Sequence, residues 1–289
     1  MHTVVLSNST WSLGVLPAWG GRIAHLNAEG LDILLPINAN QFNPLDWPRA
    51  GAYPLMPYSN RIRNARLQFA GTEHALPAHP AARPHTLHGV THTQLWQVMT
   101  SGSDNLSIAC DYQGEHWPWA FRAEQHFALD GARLRITLVL INLGQTPMPG
   151  GLGLHPYFQR HPGMRVQYRT GREWQIDEEY MATGAYLEGV RNWSIDADAG
   201  EPLAHYQSRW DGQLQIDYAN GHVHLQASQV LNHFVAFAPV GSPYLCLEPV
   251  SHLADAFNQP RDSWAETGTH ELAPGQRLEA TLEFTWQHR

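Results

Sequence analysis

Apolar and polar residues alternate with a period of two along much of the chain, a pattern that predicts β-strands with one buried face. The clearest case is the segment 121–140, where two alternating runs flank Asp130-Gly131. An Asp-Gly pair in that position favours a hairpin turn. Gln125 interrupts the first run. The apolar phase consists of Phe121, Ala123, Phe127 and Leu129 before the turn, and of Leu134, Ile136, Leu138 and Leu140 after it.

Three further segments carry the same signal. Residues 213–228 predict a second hairpin that turns at Asn220-Gly221, and a third strand pair flanks Ala70-Gly71. Near the C-terminal end, residues 277–286 alternate strictly after a turn at 273–276. Sustained helical periodicity is scarce, so we expect only short helices, for example around 251–258.

These elements predict an all-β fold, a large antiparallel β-sandwich with few short helices. No internal repeat, low-complexity tract or linker divides the chain, so residues 1–289 are expected to form a single domain of two packed sheets. A hydrophobic content of 43% is enough for a substantial core and argues against disorder.

The charge balance bears on the class of partner. The net charge is −8 and the pI is about 6.1, whereas nucleic-acid binding favours a basic surface. A small polar ligand fits this balance, and nucleic acid is not expected as a partner.

All 18 basic residues are arginines, so the chain contains no lysine. This composition excludes a lysine Schiff base and therefore lysine-anchored pyridoxal phosphate. It also excludes a phosphate-binding loop that depends on lysine. No cofactor is expected.

Cys110 and Cys246 lie far apart, which is typical of a reducing compartment rather than a disulfide framework. Residues 1–30 show no basic and then apolar signal-peptide pattern. No apolar run approaches the roughly 18 residues needed to span a membrane. We therefore expect a cytoplasmic protein without a membrane partner, either a monomer or a homodimer.

Two segments near the middle of the N-terminal half contain candidate binding residues. Arg61, Arg63 and Arg66 follow a Pro-Tyr-Ser-Asn turn, and the planar donor groups of arginine suit a polar ligand or a carboxylate. Alternatively, they are ordinary arginines on a solvated strand face. In the segment 85–96, His88 and His92 have the spacing of two metal ligands on a helix. Gly89 and the β-rich context argue against that helix, and a structural role is the alternative.

A third segment, Gly-Gly-Leu-Gly-Leu-His-Pro-Tyr-Phe at 150–158, places one histidine in an apolar setting. Its glycines permit close backbone approach. Pro156 disfavours helical geometry at His155, so an extended segment should aim the imidazole to one side. The alternative is a hydrogen-bonded core histidine.

The fourth segment, 244–258, contains Glu248 after an apolar run and before Pro249. A carboxylate at the end of a buried strand is unfavourable unless it is paired or functional. Burial would raise its pKa toward the range of a general base that works near neutral pH. A structural salt bridge to an arginine is the alternative.

His222 and His224 would share one face of a strand, as a metal pair could. No third ligand follows at close spacing, so a solvated strand face is preferred and no metal site is predicted.

In chain order, the four segments contain the motifs Asn60-Arg61-Ile62-Arg63-Asn64, His88-Gly89, His155-Pro156-Tyr157-Phe158, Glu248-Pro249 and Asp255-Ala256-Phe257-Asn258. Taken together, these motifs resemble the aldose 1-epimerase (mutarotase) family. The opening segment 16–37 and the turn at 272–276 are also similar to that family, so the resemblance covers nearly the whole chain.

The resemblance implies a galactose mutarotase-like supersandwich with a sugar cleft, and an isomerase that interconverts the α and β anomers of a free aldose without metal or cofactor. By motif, Glu248 would be the general base at the C1 hydroxyl and His155 the general acid at the ring oxygen. His88 would hydrogen-bond the sugar near that oxygen, and Arg61 with Asn60 would hold hydroxyl groups. A histidine can donate at neutral pH if a carboxylate or the site itself keeps it charged.

The chain departs from the family at one position. Many relatives carry a sugar-binding aspartate that would fall at 203–205, where this sequence has none. Asp211 matches a nearby motif and is a weaker candidate for substrate binding, and His205 or Gln207 could substitute.

The substrate remains open between a neutral hexose such as galactose or glucose and a hexose 6-phosphate or other modified sugar. Arg63, Arg66 or Arg83 at the cleft rim would favour the phosphate. A non-catalytic carbohydrate-binding protein is a further alternative, although binding alone does not require both Glu248 and His155. A metal-dependent enzyme that uses His222 and His224 is the last alternative.

Overall fold

The computed structural model describes residues 3–38 and 40–289. The strands are β1 Val4–Ser7, β2 Trp11–Leu16, β3 Arg22–Ala28, β4 Leu31–Asp32, β5 Ala52–Pro54, β6 Arg66–Phe69, β7 Thr72–Ala75, β8 Gln97–Ser101, β9 Asn105–Gly114, β10 Trp117–Asp130, β11 Arg133–Asn142, β12 Met148–Gly150, β13 Leu154–Gln159, β14 Arg165–Ile176, β15 Ala182–Asp196, β16 Leu203–Ser208, β17 Gln213–Tyr218, β18 Gly221–Ala227, β19 His233–Ala238, β20 Tyr244–Val250, β21 His270–Leu272 and β22 Arg277–His288.

Helical structure in the described residues is short, as the sequence predicts. A single turn of α-helix, α1, spans Trp264–Thr267. The 3-10 turns are Pro17–Trp19, Arg63–Ala65, Pro80–Ala82, Thr91–Thr93, Ala197–Ala199, Ala256–Asn258 and Arg261–Ser263. The all-β prediction is therefore confirmed.

Eighteen of the strands formed by the described residues hydrogen-bond into one sheet. Successive antiparallel pairs follow the path β8-β9-β10-β11-β22-β18-β17-β14-β16-β19-β20-β13-β5-β3-β2-β1. β15 lies along β14, and β4 pairs with β3. The two small sheets are β6-β7 and β12-β21.

The halves of the predicted sandwich are not separate sheets, because β13 joins them. Its first three residues pair with β5, and its last three pair with β20. The halves also contact each other directly, since the Trp11 indole donates to the carbonyl of Ala132 at 2.9 Å. Buried apolar side chains from both halves form one core cluster.

The alternating runs form the strands that the sequence predicts. β10 and β11 pair from Phe121 to Asn142, and every apolar residue of the predicted phase is buried. Gln125 belongs to the same buried face, where its side-chain amide donates to the carbonyl of Gly21 at 2.8 Å. This hydrogen bond explains how a polar residue is accommodated in an otherwise apolar phase.

The second hairpin turns one residue earlier than predicted. Tyr218 pairs with Gly221, so the connecting residues are Ala219 and Asn220, and Gly221 begins β18. A Cβ atom at Gly221 would lie 2.6 Å from the carbonyl oxygen of Gln287. The glycine is therefore used for close packing against β22 rather than for the turn. The other two expectations, at Ala70-Gly71 and in β22, are confirmed.

No helix among the described residues has the length and apolar character required to cross a membrane.

Candidate active site

His155 and Glu248 meet on neighbouring strands at the junction of the two halves. Tyr157 on β13 lies opposite Cys246 on β20. His155 and Glu248 each lie two residues from that pair on their own strands, so their side chains point to the same face of the sheet. The Nε2 atom of His155 lies 3.4 Å from Oε1 of Glu248, and both side chains are buried.

The glycines before β13 let this segment approach the end of β20. A Cβ atom at Gly151 would lie 2.8 Å from Nε2 of His252, and one at Gly153 would lie 2.8 Å from a methyl group of Val250. Contacts this short leave no room for a larger residue. The glycine-rich run thus fixes the position from which His155 projects.

Burial moves the proton affinities of the two groups in opposite directions. Burial raises the pKa of Glu248 to about 8, with Arg61 acting in the other direction. Burial and the charge of Arg22 lower the pKa of His155 to about 3. These opposite shifts favour a single proton on the pair at neutral pH, held by the carboxyl group. Desolvation disfavours the imidazolium form of His155, so donation by His155 requires a proton from its neighbour Glu248.

His88 lies beside the pair with a defined tautomer. Its ring is perpendicular to that of His155, with 5.0 Å between the ring centroids. The Nδ1 atom accepts a hydrogen bond from the backbone N–H of Asn60 at 3.2 Å, so the proton of the neutral ring is on Nε2. Burial holds the pKa of His88 well below its usual range. His88 can therefore serve as a neutral hydrogen-bond donor.

Asn60 and Arg61 form the wall beside His88. The Oδ1 atom of Asn60 accepts from the backbone N–H of Arg61 at 3.0 Å, from its guanidinium at 3.3 Å, and from the hydroxyl of Tyr206 at 3.3 Å. These bonds use the carbonyl oxygen of the Asn60 side chain and leave its NH₂ group as a donor. The guanidinium of Arg61 also packs against Tyr180, at 5.2 Å from the ring centroid.

The Asp255–Asn258 segment holds the Arg61 loop in place. The backbone N–H of Asp255 donates to the carbonyl of Arg61 at 2.8 Å, and its Oδ1 atom accepts from the backbone N–H of Arg63 at 2.9 Å. The side-chain amide of Asn258 donates to Oδ1 of Asp255 at 2.7 Å and to the carbonyl of Arg66 at 2.8 Å. The fifth motif of the resemblance therefore supports the site without lining it.

His155, Glu248, His88, Arg61 and Asn60 all line one cleft of about 250 Å³. Pockets for drug-sized ligands occupy roughly 300–1,000 Å³, so the cleft suits a smaller molecule. The other lining residues are Leu45, Asp46, Trp47, Arg49, Tyr53, His79, Ala81, Leu87, Tyr157, Tyr180, Tyr206, Val235, Phe237, Pro239, Tyr244 and Cys246.

Several lining residues were missed from the sequence. Tyr157 and Cys246 lie two positions from His155 and Glu248, so strand periodicity could have placed them on the same face. Tyr53 reaches the site because β5 pairs with β13, and Tyr206 reaches it on β16. Nothing local in the sequence indicates these cross-strand neighbours.

The structure does not bring Asp211 into the cleft. Its Oδ1 atom accepts from the backbone N–H of Gln213 at 3.1 Å, and its Oδ2 atom lies 3.4 Å from Nε of Arg169. Asp211 thus stabilises the turn before β17 and does not line the cleft. The proposed substitutes do not line it either, since His205 binds Glu173 and Gln207 is buried on β16.

The arginines considered for a phosphate group also lie elsewhere. Arg63 pairs with Asp177 at 3.4 Å and Asp255 at 3.8 Å, and Arg66 pairs with Glu73 at 3.2 Å. Neither of them nor Arg83 lines the cleft, whereas Arg49 does.

One group of side chains in the described part of the chain has donor atoms close enough together for a metal ion. His155, Cys246 and Glu248 each place one donor atom within 4.8 Å of the others. Burial raises the pKa values of both the Cys246 thiol and the Glu248 carboxyl, which keeps them protonated and opposes metal binding. His222 and His224 belong to no such group.

Known proteins resemble this chain over almost its whole length. The family model for aldose 1-epimerase matches residues 2–285. The chain is 27% identical over 253 residues to YphB, an uncharacterised protein of Escherichia coli strain K12, covering 82% of this chain and 84% of that protein.

Solved structures share the fold. A galactose mutarotase-like protein from Clostridium acetobutylicum superposes with a TM-score of 0.85 at 18% identity, covering 99% of this chain and 95% of that one. Galactose 1-epimerase from Lactobacillus acidophilus NCFM superposes with a TM-score of 0.75 at 14% identity, covering 98% and 93% of the two chains.

Proposed function

We propose that this chain, which belongs to the aldose 1-epimerase family, is a mutarotase that interconverts the α and β anomers of a free hexose such as galactose or glucose. The observation that carries the proposal is the buried His155–Glu248 pair, which faces a cleft of about 250 Å³. The opposite pKa shifts of the two groups favour a single proton on the pair at neutral pH. Ring opening needs a base that removes the C1 hydroxyl proton and an acid that protonates O5, and this pair supplies both.

In the proposed reaction, the carboxyl proton first passes to His155, which gives a carboxylate and an imidazolium. The Arg61 guanidinium favours the carboxylate form of Glu248. The carboxylate removes the C1 hydroxyl proton, the C1–O5 bond breaks as the C1 carbonyl forms, and the imidazolium protonates O5. The aldehyde is then held beside a carboxyl group and a neutral imidazole, which is the protonation state in which the pair began.

Rotation about the C1–C2 bond exposes the other face of the aldehyde. O5 then attacks C1, His155 takes back its proton, and Glu248 returns a proton to O1. Ring closure leaves a carboxylate and an imidazolium, and return of the imidazolium proton to Glu248 restores the starting state. No external acid, base or cofactor is consumed. Each proton transfer of this kind contributes about 10²–10⁴-fold to the rate.

The neighbours of the pair fit supporting roles. The Nε2–H of His88 is free to donate to the sugar near O5, because Nδ1 is occupied by the backbone of Asn60. The NH₂ group of Asn60 and the guanidinium of Arg61 can bind hydroxyl oxygens. The donors of His88 and Asn60 are neutral and suit a neutral sugar, since they need no counter-charge on the ligand.

A hexose 6-phosphate or another anionic sugar is the alternative substrate. The observation in its favour is Arg49, an exposed arginine on the cleft wall that forms no salt bridge among the described residues. A guanidinium in that position could bind a phosphate group. A non-catalytic carbohydrate-binding protein is the remaining alternative, and it would not need the acid–base pair.

The test is the optical rotation of freshly dissolved α-galactose and α-glucose, with and without the protein and with a chelator present. Accelerated relaxation that survives the chelator supports a metal-independent mutarotase. If neither sugar responds while glucose 6-phosphate relaxes faster, the phosphorylated substrate is supported instead. If no sugar relaxes faster although binding is detected, the carbohydrate-binding alternative replaces the proposal.

The same proposal treats residues 1–289 as a single domain of a cytoplasmic protein that acts as a monomer or a homodimer. The continuous sheet and the two free, buried cysteines are compatible with these assignments. A small sugar is the partner, and no nucleic acid or cofactor is included.

A further inference from the structure

Arg22, the first residue of β3, is buried without a hydrogen-bonding partner. Its side chain is fully inaccessible, and Nε, Nη1 and Nη2 have no acceptor among the described residues. No described carboxylate forms a salt bridge with it. A buried and unpaired charge destabilises a fold, so its presence calls for a physical reason.

The guanidinium lies among three aromatic side chains. Its Cζ atom is 4.3 Å from the ring centroid of Tyr53, 5.2 Å from that of Phe42 and 5.6 Å from that of Trp47. Cation–π attraction of this kind offsets part of the desolvation, and it is stronger in a buried site. Burial lowers the pKa of Arg22 only to about 10, so the group stays charged at neutral pH.

Tyr53 connects Arg22 to the catalytic pair. Its ring stacks on the imidazole of His155, with 4.7 Å between the centroids and 20° between the planes. Arg22 and His155 therefore pack against the same aromatic ring. The low polarity of this environment strengthens the repulsion between a guanidinium and an imidazolium.

The other groups around His155 carry no competing charge at neutral pH. Burial lowers the pKa values of His88 and His92, and it raises those of Tyr53, Tyr157, Cys246 and Glu248. Arg61 acts on Glu248 and His88. The titratable and charged neighbours of His155 are Glu248 and Cys246 on β20, Tyr53 on β5, Tyr157 on β13, His88 and His92 near the Thr91–Thr93 turn, and Arg22 on β3.

We propose that Arg22 is a positioning residue for the acid–base pair: its permanent charge, packed on the shared ring of Tyr53, keeps a second proton off His155. A doubly protonated pair lacks a base and cannot open the sugar ring. Arg22 thereby extends the singly protonated state of the pair toward acid pH. The kinetic part of this inference rests on the proposed function, whereas its effect on the protonation of His155 does not.

The first test is histidine ¹⁵N NMR of the sugar-free protein, with the His155 signals identified from a His155→Asn variant. In the wild type, His155 should remain neutral at pH 5.5, well below the usual histidine pKa of about 6.5. An imidazolium at His155 at that pH would overturn the proposal, without the need for any Arg22 variant.

The second test compares Arg22→Met with Arg22→Lys. Methionine fills similar space without charge, so the titration midpoint of His155 should rise by about one unit. Lysine restores a cation and should keep the midpoint close to that of the wild type. Arg133→Met, which removes an exposed charge at the start of β11, is the control and should leave the midpoint unchanged.

Kinetics then separate a positioning role from a purely structural one. The acid limb of kcat/KM should move to higher pH in Arg22→Met and return in Arg22→Lys. Folded Arg22→Met with an unshifted His155 titration would refute the inference. If the titration shifts but no sugar relaxes in the wild type, the electrostatic role stands and the proposed function fails.

Discussion

The imidazole Nε2 of His155 and the carboxyl Oε1 of Glu248 lie 3.4 Å apart across the antiparallel pairing of β13 with β20. The pair sits where β13 changes partners from one half of the sheet to the other. Neighbouring strands of both halves can therefore line the cleft around it. Burial raises the pKa of Glu248 and lowers that of His155, which favours a single proton on the pair at neutral pH.

Glu248→Gln should abolish mutarotation while leaving the fold intact. Glutamine keeps the shape of the side chain but cannot accept the C1 hydroxyl proton, so we expect a loss of kcat/KM of at least about 10²–10⁴-fold. Polarimetry of α-galactose gives the rate, and thermal unfolding checks the fold. Wild-type turnover in this variant would remove Glu248 as the base.

His155→Asn should lower kcat by about 10²-fold or more, because the amide cannot transfer a proton to O5. The separate changes in kcat and in KM distinguish proton transfer from binding. A change confined to KM would mean that His155 binds the sugar without acting as the acid. Progress curves at several sugar concentrations supply both constants.

The fold was predictable where strands have one buried face. β22 alternates strictly, and its apolar residues Leu278, Leu282 and Phe284 are buried. β20 is buried along its whole length, so it shows no alternation to detect. β15 is exposed along most of its length, and its alternation could not mark a core face. A strand can therefore be recognised from the sequence when one face is buried and the other is exposed.

The site was predictable only in part. His155 and Glu248 were predicted as catalytic residues because their motifs resemble a family. Strand periodicity alone would have predicted only that each is a core residue. Arg22 follows two glycines and belongs to none of the motifs that carry the resemblance, yet it lies against Tyr53. That contact depends on how β3, β5 and β13 associate, and no local pattern encodes their register.

Asp211→Ala should leave kcat/KM within about twofold of the wild type, because the carboxylate lies outside the cleft and surface changes typically alter free energies by at most about 0.5 kcal/mol. Loss of the contacts that stabilise the turn before β17 should slightly lower the stability of the protein, measured as a lower midpoint of urea unfolding. A large increase in KM without loss of stability would instead show that Asp211 reaches the sugar.

Asn258→Ala should raise KM by releasing the Arg61 loop. The lost amide bonds to Asp255 and to the Arg66 carbonyl are each worth about 0.5–1.5 kcal/mol. Because Asn258 does not line the cleft, the acid–base pair should keep its pH profile. Matched initial-rate measurements at saturating and limiting sugar separate the two effects. A shifted pH profile with an unchanged KM would contradict this positioning role.

The protein should lose stability as the pH falls from about 7 toward 4. Burial lowers the pKa values of His88, His92, His155, His233 and His252, so below about 6.5 the unfolded chain binds more protons than the folded one. Each such proton lowers the free energy of unfolding by up to about 1.4 kcal/mol per pH unit. Glu248 and Asp255 act in the opposite sense, because their raised pKa values favour the folded state at low pH, but they are fewer.

Urea unfolding at pH 7.5, 6.0 and 5.0 measures how the free energy of unfolding changes with pH. A flat or rising free energy of unfolding over this range would mean that the buried histidines are protonated in the folded protein.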